Sequence, residues 1–128
     1  MPLIRISLRA GQPAERHRAI ADAVHQALVE ATDVPADDRF QIVTEHPAAA
    51  LIYDRQYLGI ARSDDLVIVQ IAWRRGRTVA MKRALYQRIA ERLRDAAGVR
   101  PEDVFITLVE NELADWSFGH GVAQYVKE

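Results

Sequence analysis

The second half of this chain repeats the first. Shifting the 128-residue sequence by 65 positions lays Leu3-Ile4-Arg5-Ile6 on Ile68-Val69-Gln70-Ile71, Gly11 on Gly76, and Ile20, Val24 and Leu28 on Leu85, Ile89 and Leu93. Beyond the helical stretches Val34 falls on Val99, Asp38 on Asp103, Phe40 on Phe105, Val43 on Leu108 and Glu45 on Glu110, and only Pro35 and Pro101 slip by one residue. Each half therefore reads as strand, turn, helix, short loop, strand, which is a βαβ unit. The expected fold is α+β: one domain over residues 1–128, with repeat halves about 2–45 and 67–110, forming a four-stranded mixed sheet with two helices on one face.

The local signals agree with that frame. Pro13 suits a first helical turn, where its missing N–H costs nothing, and Ile20, Val24, Ala27, Leu28 and Ala31 then recur at helical spacing. Thr78 is a natural cap for the second helix, whose apolar stripe is Leu85, Ile89, Leu93 and Ala96, and Gly98 ends it. Phe40 to Glu45 and Phe105 to Glu110 are rich in β-branched and aromatic residues and read as strands. Residues 46–65 read as a loop with a short strand, and the alternation of Val122, Gln124 and Val126 predicts a small terminal hairpin. Leu66 to Trp73 is almost continuously apolar, as expected of a strand buried on both faces. Two helices cover only one face of such a sheet, so association through the other face or its edges is expected.

Composition narrows the classes of function. With 17 basic and 18 acidic residues there is no broad field to attract nucleic acid or anionic lipid, so neither is an expected partner. The absence of cysteine removes disulfides and thiol chemistry. No basic, apolar-cored leader and no run of about 18 apolar residues occurs, and a cytoplasmic protein is expected.

The halves differ where chemistry is possible. Pro2 opens the first strand directly behind Met1, and the repeat puts Val67 in its place in the second half. Removal of Met1 would expose a secondary amine able to titrate near neutrality, since an ordinary α-amino group has a pKa of roughly 7.7 to 8.0. The turn Trp73-Arg74-Arg75-Gly76-Arg77 is far more cationic than its counterpart Arg9-Ala10-Gly11-Gln12 and could hold a small carboxylate or phosphate. Asp38, directly before a strand, could accept a proton or orient an amine. His17, His25, His46 and His120 show no metal-ligand spacing. Trp116 and Phe118 read as apolar packing or as a pocket wall.

Together these stretches resemble the tautomerase superfamily, and most closely the malonate semialdehyde decarboxylases. The resemblance is carried by Pro2-Leu3, Val34-Pro35 with Asp38-Arg39, Gln41-Ile42-Val43 with Glu45 and Pro47, Arg75-Gly76-Arg77, Pro101-Glu102-Asp103-Val104 and Asp115-Trp116-Ser117-Phe118-Gly119. It implies a homotrimer with an amino-terminal proline at the floor of each site, and no cofactor or metal. It gives Pro2 and Asp38 catalytic roles, Arg75 and Arg77 the substrate carboxylate, and Trp116 and Phe118 the pocket wall. Where those decarboxylases show Arg-Pro-Arg this chain has one additional residue, which leaves Arg74 as the alternative to Arg75. The implied activity is decarboxylation or hydration of a small oxo acid. A 2-keto acid tautomerase and a non-catalytic trimeric binding protein of the same fold are the alternatives.

Overall fold

The computed structural model describes residues 1–127. Its elements are β1 (Leu3–Arg9), α1 (Ala14–Ala31), β2 (Phe40–His46), β3 (Val67–Arg74), α2 (Val79–Ala97) and β4 (Val104–Asn111). The sheet order is β2-β1-β3-β4. Within each repeat the strands are parallel, and the two repeats meet antiparallel through β1 and β3. The sheet is therefore mixed because two βαβ units join across an antiparallel centre.

Alternation within the strands fixes which face carries the core. Ile4, Ile6 and Leu8 of β1 and Val67, Val69, Ile71 and Trp73 of β3 are buried, against Ile20, Val24, Ala27 and Leu28 of α1 and Leu85, Ile89 and Leu93 of α2. The helix ends follow the local chemistry. Thr78 accepts a hydrogen bond from the Met81 N–H at 3.2 Å, and Gly98 closes α2 in the left-handed conformation at φ 65°. Gly11 and Gly76, matched by the repeat, both turn the chain with positive φ, 102° and 118°, where a side chain would be strained.

The opposite face is only partly covered by the described residues, with Phe118 of the tail against Phe40 at 6.0 Å between ring centres. Paired positions line up there in rows, Phe40–Leu3–Ala72–Val109 and Thr44–Ser7–Ile68–Phe105. Phe40, Phe105 and Val109 are 50%, 46% and 53% exposed. β3 is thus buried on one face and only partly covered on the other, as a strand made to be enclosed by assembly would be.

Two expectations need correction. His46 closes β2, and residues 47–65 contain two single-turn 3-10 helices, Ala48–Ala50 and Tyr57–Gly59, and no strand. The tail forms turns rather than a hairpin, because Gly119, His120 and Gly121 all have positive φ (144°, 59° and 67°) and curl the chain. The Gln124 side chain closes the curl, accepting from the Phe118 N–H and donating to the Gly119 carbonyl, each at 2.8 Å.

Candidate active site

The strand register brings the chain's beginning to Asp38. Leu3 pairs with Phe40 in parallel, so two residues back along each strand Met1 stands beside Asp38. Met1 and Pro2 are buried, and the Met1 α-amino group contacts the Asp38 carboxylate. The antiparallel pairing of Leu3 with Ala72 places the end of β3, and the turn after it, on the other side of the same point.

That turn delivers two arginines. Arg74 is the last residue of β3, and Gly76 reverses the chain so that Arg77 returns beside it. The Arg77 Nη1 donates to the Arg74 carbonyl at 3.0 Å, and its guanidinium carbon lies 4.0 Å from the centre of the buried Trp73 ring. Both guanidiniums pair with Asp33 in the loop after α1. Arg75 points elsewhere: its Nε meets Glu112 at 2.7 Å, and it is 66% exposed. The structure therefore brings Arg74 and Arg77 to the terminal amine, and Arg75, expected as Arg77's companion, lies outside.

A cavity of about 410 Å³ opens here, lined by Met1, Asp33, Val34, Pro35, Asp38, Arg74, Arg77, Leu113 and Tyr125. Trp116 and Phe118 are not among its lining residues. They stack with ring centres 5.6 Å apart, Phe118 meets the Tyr125 ring edge-on at 5.1 Å, and the Trp116 indole N–H donates to Asn111 at 2.7 Å. Their role in one chain is to buttress Tyr125. A larger hollow of about 550 Å³ lies between α1 and β2, but its polar side chains already have partners: His17 with Glu45, Arg18 and Arg39 with Asp22. Among the described residues only the smaller cavity joins a titratable amine, a carboxylate in contact with it and a pair of guanidiniums.

Burial sets the electrostatics. It is the largest influence lowering the Met1 amine from 8.0 to about 6; Arg77 and Arg74 lower it further, and Asp33 opposes them. Burial also holds Arg77 below its ordinary value, against the pull of Asp33. For Asp33 burial acts upward and is outweighed by the charge of Arg77, a local backbone hydrogen bond, a hydrogen bond from Arg77 and the charge of Arg74, leaving its carboxyl below the usual range.

Of the residues singled out from sequence, Asp38, Arg77 and the alternative Arg74 line the cavity, and Pro2 lies buried directly behind Met1. Sequence reasoning missed Asp33, Leu113 and Tyr125. The first sits in a loop whose Asp-rich sequence resembles ordinary turn chemistry, and the other two come from the segment read as a hairpin.

Comparison with known proteins gives a consistent result. A family model described as tautomerase enzyme matches residues 38–119, and a second of the same description matches residues 2–58. The chain is 39% identical over 127 residues to the probable tautomerase YusQ of Bacillus subtilis strain 168, covering 99% of this chain and 100% of that one. Among solved structures, the FG41 malonate semialdehyde decarboxylase inhibited by 3-bromopropiolate is 47% identical with a TM-score of 0.90, covering 96% of this chain and 93% of that one. A malonate semialdehyde decarboxylase described with both decarboxylase and hydratase activities is 35% identical, with a TM-score of 0.91 and coverage of 96% and 95%.

Proposed function

The chain belongs to the tautomerase family, and on that premise we propose that its amino-terminal site decarboxylates a small β-oxo acid such as malonate semialdehyde, without a cofactor. The observation that carries this reading is one cavity holding the terminal amine against Asp38 with Arg74 and Arg77 beside it. The reading requires that Met1 be removed, because with Met1 in place the Pro2 nitrogen is an amide without a basic lone pair.

The steps follow from the charges. Arg74 and Arg77 hold the substrate carboxylate, with the bond to be broken set out of the plane of the neighbouring carbonyl. As CO2 leaves, the electron pair of that C–C bond passes into the carbonyl, making an enolate. Protonated Pro2 donates a hydrogen bond to the enolate oxygen, and the adjoining Asp38 carboxylate favours the charged form of the amine. Protonation at carbon then gives the aldehyde. The same groups would add water across an activated multiple bond, so hydration is the expected side activity, as named for the 35% identical decarboxylase.

Assembly belongs to this proposal. The partly uncovered apolar face of the sheet supports self-association, and the resemblance supports three copies. A pair of arginines in a small, otherwise largely apolar cavity suits a small carboxylate rather than nucleic acid or membrane as partner.

A second reading, a 2-keto acid tautomerase, is favoured by surroundings that lower a terminal amine, as they do for Met1, and so favour its neutral, basic form, and by the name of the Bacillus relative. The experiment offers malonate semialdehyde and, separately, a 2-keto acid in D2O. Aldehyde formation from the first supports the decarboxylase; proton exchange in the second with no aldehyde from the first would replace it with the tautomerase.

A further inference from the structure

Asp33 takes no part in the steps above, yet it sits where the substrate carboxylate is expected. Its Oδ1 accepts from the Arg77 Nε at 3.0 Å and forms an ion pair with Nη2 at 2.9 Å, and its Oδ2 accepts from the Arg74 Nη2 at 3.0 Å. One carboxylate thus bridges both guanidiniums. Arg77 is fixed on its remaining sides by the Arg74 carbonyl and the Trp73 ring, and its side chain is only 5% exposed. A guanidinium carries five N–H donors, so these contacts still leave donors for a second carboxylate.

The charged groups around the cavity are Arg74, Arg77 and the terminal amine, against Asp33 and Asp38. With the amine protonated three positive charges face two negative ones, and with it neutral two face two. A monoanionic substrate therefore leaves the site neutral or with one negative charge. A dianion brings its second carboxylate into a site that already contains two, and like charges placed together in a binding site are strongly unfavourable.

We propose that Asp33 is a positioning residue that holds Arg74 and Arg77 in register and makes the site select monoanionic oxo acids over dianionic ones. This rests on the carboxylate-binding part of the function proposed above. It differs from a loop-tethering role, which would leave ligand charge preference untouched.

Propanoate and malonate are suitable probes, because malonate carries a carboxylate where malonate semialdehyde has its aldehyde. Their binding is measured by calorimetry at neutral pH on the wild-type protein, Asp33→Asn and Asp33→Glu. Wild type is expected to prefer propanoate, Asp33→Asn to gain about tenfold for malonate relative to propanoate, and Asp33→Glu to restore the wild-type ratio. The terminal amine, read by NMR titration, should also fall in pKa in Asp33→Asn, since Asp33 is one of the charges holding it up. An unchanged binding ratio in Asp33→Asn would overturn the proposal. If the ratio shifts as expected while the wild type fails to decarboxylate malonate semialdehyde, the function is wrong and the role of Asp33 stands.

Discussion

Asp38 and Asp103 occupy equivalent positions in the two repeats and bind different partners. Asp103 is fully buried and accepts from the Ser63 N–H at 2.7 Å, the Ser63 hydroxyl at 2.6 Å and the Arg100 Nε at 3.2 Å. Asp38 instead meets the chain's own terminal amine. In the second repeat the preceding linker supplies backbone to its aspartate; in the first there is only Met1, which leaves the carboxylate to an ionisable group.

That difference predicts opposite mutational effects. Asp103→Ala leaves the part-buried Ser63 N–H without its partner and should destabilise the fold by about 2 kcal/mol. Burial raises the Asp103 carboxyl, but hydrogen bonds from the Ser63 hydroxyl and N–H and from Arg100 outweigh it and hold it below 3.8. Its contribution is therefore complete above that value and is lost as pH falls through the folded-state pKa. Asp38→Asn should change stability far less and lower turnover about 100-fold. Chemical denaturation and steady-state kinetics on both variants check the pair.

The arginines should separate by geometry. Arg74→Ala and Arg77→Ala remove guanidiniums that line the cavity and should each weaken kcat/KM at least about tenfold, whereas Arg75→Ala, which removes an outward pair with Glu112, should change it less than about threefold. A larger loss at Arg75 than at Arg77 would reverse the assignment.

The pH profile distinguishes the two chemistries. The surroundings that hold the Met1 amine at about 6 would act in the same direction on Pro2 once Met1 is gone. The amine is cationic below its pKa and neutral above it. Decarboxylation needs the cation, so its kcat/KM should fall as pH rises through that value; tautomerisation needs the base and should rise. Asp38→Asn removes a contacting negative charge and should move either transition to lower pH.

Much of this architecture was legible because burial repeats with fixed period. Ile20, Val24 and Leu28 mark α1, Leu85, Ile89 and Leu93 mark α2, and the matching of Val34 with Val99 is mirrored in two buried valines. The site was legible only where it follows strand register, as for Pro2 and Asp38. The choice between Arg74 and Arg75 depends on how one glycine turn directs three successive side chains, which residue type alone does not encode. The tail misled for a related reason: alternation at Val122, Gln124 and Val126 suggested pairing, but three consecutive left-handed residues at 119–121 prevent the chain from extending.

Assembly can be checked through the same rows that define the partly uncovered face. Val109 is half exposed in the single chain, so Val109→Lys should be compatible with the fold while placing a charge on the apolar surface. Analytical sedimentation is expected to show three chains for the wild type and single chains for the variant. A variant that remains three chains would place the interface elsewhere.

The central claim is that the exposed Pro2 amine performs the chemistry. The direct measurement is CO2 release from malonate semialdehyde by protein whose intact mass shows Met1 removed, compared with Pro2→Ala, which keeps a primary amine at the same place. The account predicts release by the wild type and a fall of about 100-fold in the variant. Undiminished release by Pro2→Ala, or full activity in protein that retains Met1, would contradict it.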